Sequence, residues 1–253
     1  MKSKGYMGKI LHVDLTANEI REEALPDSVY ETYLGGMGLG AFVLHDKIPA
    51  GADPLGPDNI LGFLPGLLTG TGSLFTGRWM VVGKSPLTGG WGDANCGGTF
   101  SPAIKRCGYD GIFISGISQH PVYLYVDDHV KELRDASDVW GMDAVETEKY
   151  LARKGGKKGK HPKVACIGPA GESVSLISGI STDKGRMAAR SGLGAVMGAK
   201  RLKAVVLAGT KRIVPHDREE IKKISQICNK WVQFQPPFVS GPMTAFVGAF
   251  MRI

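Results

Sequence analysis

The feature that most constrains this chain is a pattern written twice. Residues 97–116 read GGTFSPAIKRCGYDGIFISG and residues 192–209 read GLGAVMGAKRLKAVVLAG. In both, glycines at or near pair spacing lead into small apolar residues. A lysine with a basic neighbour follows, Lys105 or Lys200, and then a β run closing on a small residue plus glycine. Each copy is preceded by a strand and a turn, Pro65-Gly66 or Pro169-Ala170-Gly171. The pattern therefore predicts an internal duplication with two similar half-sites, one near Asn95 and one between Arg186 and Gly194.

The rest of the chain reads as a mixture of hairpins and isolated helices. KILHVDLTANEIREEAL alternates on either side of TAN, and PVYLYVDDHVKELRDAS turns at Asp127-Asp128; both are hairpin patterns. Helices are expected over 26–34, from the glycines at 35–40 up to Pro49, over 101–107, from an N-cap at Asp143, over 190–200, and from Asp217 to about Val232. Strands are expected at 59–64, 78–84, 111–116, 163–168, 174–179 and 202–209. This order favours an α+β fold with mixed sheets over a strict βαβ winding. The glycine cluster at 35–40 follows a helix where a dinucleotide fingerprint needs a strand, so that fingerprint fails its context.

Composition narrows the function classes. At 43% apolar and 22% charged residues the 253-residue chain has the make-up of a globular protein, and no apolar run approaches the roughly 18 residues of a spanning helix. The N-terminus lacks a signal-peptide pattern, so a cytoplasmic location and no membrane are expected. The net charge of +7 is partly local, because RKGGKKGKHPK at 153–163 holds six basic residues and no acid. No aromatic is interleaved there to stack a base, so nucleic acid is not the expected partner. A homo-oligomer remains open.

Conventional catalytic groups are scarce. Cys96, Cys107, Cys166 and Cys228 form no CxxC pair, and the six histidines show no i, i+4 pairing and read as surface residues. No catalytic or metal-ligating residue is therefore assigned. The stretch GRWMVVGKSPLTGGWGDANCGGTF, residues 77–100, points to ligand binding instead. Glycine lets backbone amides and carbonyls approach a planar polar ring or a phosphate. Arg78 offers a planar fork of donors and Asn95 a donor with an acceptor, whereas Asp93 reads as a loop residue.

GRWMVVGKSPLTG with ANCGGTF, then GYDGIFISG, PVYLYV, ELRDAS, IGPAGE and SGLGAVMGAKRLKAVVLAG, closely resembles the N-terminal domain of the tungsten-containing aldehyde ferredoxin oxidoreductase family. The resemblance runs from about residue 5 to Gly209. It implies a duplicated α+β domain, residues 1–210, on which a bis-pyranopterin tungsten (or molybdenum) cofactor sits. By motif, Arg78 matches the arginine between the pterin and a [4Fe-4S] cluster, Asn95 and Gly97 match positions lining the pterin, and Arg186 with Met187 match a pair on the other part of the cofactor. Met187 departs from the small residue expected there. The implied reaction is oxidation of an aldehyde to a carboxylic acid, with ferredoxin as electron acceptor. The cluster motif CxxCxxxC is absent, so residues 211–253 read as a linker helix and the start of further helical domains, and the chain alone is expected to be inactive. A non-catalytic cofactor-holding or assembly module with the same fold is the alternative.

Overall fold

The structure, a computed structural model, describes residues 5–155 and 161–233. The first half runs β1 (Lys9–Asp14), β2 (Glu19–Ala24), α1 (Asp27–Tyr33), α2 (Met37–Lys47), β3 (Leu61–Pro65), β4 (Trp79–Lys84), β5 (Trp91–Cys96), α3 (Phe100–Arg106) and β6 (Gly111–Ser115). The second runs β7 (Val122–Val126), β8 (Lys131–Asp135), α4 (Ala144–Lys154), β9 (Lys163–Cys166), α5 (Pro169–Glu172), β10 (Ile180–Thr182), β11 (Arg186–Ala188), α6 (Leu193–Ala199) and β12 (Leu202–Leu207). Helix α7 (Arg218–Gln233) follows. Each half is one six-stranded mixed sheet, in the orders β2-β1-β6-β3-β4-β5 and β8-β7-β12-β9-β10-β11. The two orders are identical strand for strand. In each, the opening strand pairs antiparallel with its hairpin partner and parallel with the closing strand.

Side-chain detail repeats as well. Asp14 ends β1 and Asp127 directly follows its counterpart β7, and each accepts from the backbone N–H groups two and three residues on, at 2.7–3.0 Å. These Asx turns reverse the two hairpins. Lys105 and Lys200 are both fully buried, and each donates to the carbonyl of a glycine ahead of its half's first strand: Gly5 at 2.8 Å and Gly116 at 3.0 Å.

Successive strand residues point to opposite faces, so the near-continuous apolar runs of the inner strands give each sheet two apolar faces, and one face of each packs on the other half. Leu11, Phe63, Trp79 and Ile112 of the first sheet meet Leu124, Ala165, Ile180 and Val205 of the second in one core, with α3 and α6 between the sheets. Each of these helices touches its own sheet and the other half's. The outer faces are covered separately, the first by α1 and α2 through Tyr30, Leu39 and Val43, the second by α4 through Leu151. Like edges meet: Glu22 of β2 bridges to Lys131 of β8 at 2.8 Å, while β5 lies against β11.

Three expectations need correction. The segment 174–179 is a run of turns and not a strand; Val174 has φ 57, and the strand starts only at Ile180. Asp93 sits within β5, a strand whose Gly92 hid its alternation. His12 is buried on β1, 7% exposed, with Nε2 2.6 Å from Glu23, and burial lowers its pKa. The apolar tail at 236–253 and the middle of the basic run at 153–163 lie outside the described residues. No helix among the described residues is long and apolar enough to cross a membrane.

Candidate cofactor cradle

The two glycine-rich segments converge where edge strands β5 and β11 meet. Arg78 immediately precedes β4 and Asn95 lies on β5; the Arg78 guanidinium donates to the Asn95 side-chain oxygen. That bond leaves the Asn95 amide donors and the other guanidinium N–H groups facing solvent, since both side chains are exposed. Gly97 comes next. A Cβ there would meet nothing nearer than the Arg186 guanidinium, at 3.8 Å, so its backbone is open to approach.

Arg186 reaches this place from the second half. It opens β11, and its positive charge, with that of Arg78, opposes the burial that raises the Cys96 pKa. Two reciprocal contacts fix the meeting of the halves. Asp183, in the β10–β11 turn, accepts from the Thr99 N–H at 2.5 Å and from the Thr99 hydroxyl, ahead of α3. Ser191, ahead of α6, accepts from the Asp93 N–H at 3.2 Å and donates to the Asp93 carbonyl at 3.0 Å on edge strand β5. Each half therefore ties a residue one or two places ahead of its inner helix to the last hairpin of the other half. Gly98, at φ 122, is required here, because a Cβ would overlap the Asp183 carboxylate.

Sequence reading named Arg78, Asn95, Gly97 and Arg186, and the fold brings these four to one exposed edge. Met187 is adjacent to Arg186 but on the opposite face of β11, with its methyl end along Gly179. Register makes it the counterpart of Asn95, because Trp79 pairs with Cys96 as Ile180 pairs with Ala188. Asp183, Thr99 and Ser191 were not named. Thr99 and Ser191 stand beside the glycines that lead into α3 and α6, which was the signal available; Asp183 carried none.

Comparison with known proteins identifies the family. Residues 10–209 match the family model described as aldehyde ferredoxin oxidoreductase, N-terminal domain. The chain belongs to the aldehyde ferredoxin oxidoreductase family. It is 44% identical over 230 residues to a tungsten-containing aldehyde ferredoxin oxidoreductase of Pyrococcus abyssi, covering 88% of this chain and 38% of that one. It is 36% identical over 232 residues to an aliphatic sulfonate oxidoreductase, WOR-like subunit, of Pyrococcus furiosus, covering 86% and 37%. Among solved structures it resembles the active-site complex BamBC of benzoyl coenzyme A reductase bound to 1,5-dienoyl-CoA, with TM-score 0.80, 38% identity and coverage of 83% and 32%. The chain thus spans a little over one third of the length of the curated relatives it matches.

The residues present fit a flat, hydrogen-bonding, anionic cofactor. Two guanidinium groups, an amide that both donates and accepts, and an unobstructed glycine backbone are the donor set for a ring edge and a phosphate. Among the described residues, no group of three or more His, Cys, Asp or Glu is placed to hold a metal ion, so a metal here would depend on ligands from the cofactor or from elsewhere.

Proposed function

We propose that residues 1–210 carry a tungsten (or molybdenum) bis-pyranopterin cofactor at the β5–β11 edge, as part of an oxidoreductase that converts aldehydes to carboxylic acids and passes electrons to ferredoxin. The observation that carries this reading is the convergence of Arg78, Asn95 and Gly97 from the first half with Arg186 from the second. Arg78 and Asn95 would grip one pterin edge, already oriented toward each other by their mutual hydrogen bond. Arg186 would reach the other part of the cofactor, and Gly97 would let the ring lie close to backbone. Met187 would contribute through its backbone, since its side chain runs along Gly179. When bound, the metal centre supplies two-electron oxidation of the aldehyde.

In this reading the chain's own residues bind and orient the cofactor. Substrate groups and the cysteines of a [4Fe-4S] cluster would come from the remaining length that the curated relatives have, with residues 211–253 leading toward it. That division agrees with relatives whose names carry different substrates, an aldehyde, a sulfonate and a coenzyme A thioester, while sharing this domain.

Cofactor retention tests the proposal. Protein produced with tungstate under anaerobic conditions is expected to carry tungsten and pterin through gel filtration. Arg78→Ala and Arg186→Ala each should lower both contents while leaving the circular dichroism unchanged, because both side chains are exposed. Wild-type protein that stays folded and free of both, or variants that retain both in full, would overturn the assignment.

A further inference from the structure

The duplication places one cleft in each half at the same point, and the two have diverged. Each lies at the carboxyl ends of the parallel strand pair, β1 with β6 and β7 with β12, beyond the Asx-turn aspartate and beside the end of the covering helix. Crevices of this kind, outside the carboxyl ends of parallel strands, are where open α/β sheets bind ligands. The first-half cleft, against Asp14, Lys47 and Asp58, encloses about 280 Å³. The second-half cleft encloses about 670 Å³, within the range of small-molecule sites.

The larger cleft has an apolar floor and a basic rim. Leu207 and Ala208 from the end of β12, with Ala103 of α3 and the Tyr125 ring, form the floor. Gly209 lets the chain pass against α3, since a Cβ there would overlap the backbone of Arg106 and Cys107. Both acids at the cleft are satisfied by protein. Asp127 accepts from the His129 and Val130 N–H groups at 2.8 and 2.7 Å and from the Tyr125 hydroxyl at 3.3 Å; Asp128 accepts from Thr210 at 2.9 and 2.6 Å. The cations are not: Arg106, Lys163, His129 and His161 line the cleft without a side-chain hydrogen bond or ion pair among the described residues. His161 and Lys163 close the basic run 153–163, a motif the cofactor reading leaves unused.

We propose that this cleft binds a phosphorylated small organic molecule, with the phosphate between Arg106 and Lys163 and the organic part on the apolar floor. The site is separate from the β5–β11 cradle and stands whether or not the cofactor reading does. Arginine supplies the planar fork for phosphate oxygens and lysine the point charge, the usual pairing for this anion. The histidines at the rim add donors and serve as reporters.

The full 253-residue chain, carbon-13-labelled in histidine, would be titrated with inorganic phosphate at constant ionic strength, with chloride as control. The proposal expects the His129 and His161 ring signals to shift saturably with phosphate and not with chloride, while the other four histidines stay put. AMP should reach the same end point at a concentration at least about tenfold lower, because the floor adds apolar contact. The double substitution Arg106→Ala with Lys163→Ala, both at the rim, should abolish the shifts and leave the four other signals at their wild-type positions. No phosphate-specific shift at millimolar concentration, equal shifts at all six histidines, AMP no tighter than phosphate, or binding that survives the double substitution would each overturn the proposal.

Discussion

Replacing a buried lysine with methionine should remove a specific pH dependence from the stability of this protein. Lys105 and Lys200 are at most 1% exposed and donate only to backbone carbonyls, so burial pulls each pKa from 10.5 down to about 8. In the unfolded chain each lysine keeps its proton to about pH 10.5, so between roughly pH 8 and 10.5 the unfolded state binds more protons and stability must rise with pH. A shift of this size is worth about 3 kcal/mol per lysine, fully present above the unfolded pKa and lost as pH falls through 8. Other groups work against it: Cys107 and Cys166, pushed up to about 12 by burial, cost stability above about pH 9 as their unfolded thiols ionise. These contributions are common to both proteins and cancel in a difference. Urea unfolding of wild type and Lys200→Met from pH 7.5 to 10.5 isolates the lysine, whatever constant the lost hydrogen bond to Gly116 adds. The gap should widen in favour of wild type by about 3 kcal/mol across that window. Parallel curves would show that Lys200 is not held charged in a low-polarity site, and the reasoning would fail.

The inter-half contacts and the burial pattern yield three more tests. Asp183→Ala removes both acceptors of Thr99, and unfolding should come about 1–2 kcal/mol earlier, with Asp183→Asn recovering part of the loss. Gly194→Val would drive a side chain into Ser178, whose backbone already lies 2.7 Å from where a Cβ would stand; a loss of about 3 kcal/mol or failure to fold is expected in chemical denaturation. In the native chain only Cys228 should react quickly with a thiol reagent at neutral pH, because Cys96, Cys107 and Cys166 are buried; mass spectrometry after brief labelling reads this out.

The duplication was legible because it rests on backbone requirements, and glycine is the only residue that meets them. Gly98, at φ 122 ahead of α3, and Gly192, at φ 68 ahead of α6, each take a left-handed backbone that favours glycine. The β5 strand was not legible for the same reason. Gly92 in a strand weakens the apolar alternation, while the strand itself is held by pairing with β4 and by Ser191 from the other half, partners that local sequence does not announce. Segment 174–179 read as a strand from its Val and Leu, but close approach at Gly171 and Gly179 and the left-handed Val174 turn it back on itself. His12 looked like a surface hairpin residue because a polar ring alternating with Leu11 and Val13 suggests an outward face. That face is covered here, and the ring stacks 5.8 Å from Phe113. At the cradle, residue types gave Arg78 and Asn95 directly. The contacts that bring Arg186 to them run between halves and appear only in the fold.

Anomalous diffraction at the tungsten edge from crystals of the loaded protein tests the central claim most directly. The account predicts one strong peak beside the β5–β11 edge, with pterin density contacting Arg78, Asn95, Gly97 and Arg186. A peak at any other surface, or pterin density that bypasses all four residues, would contradict it.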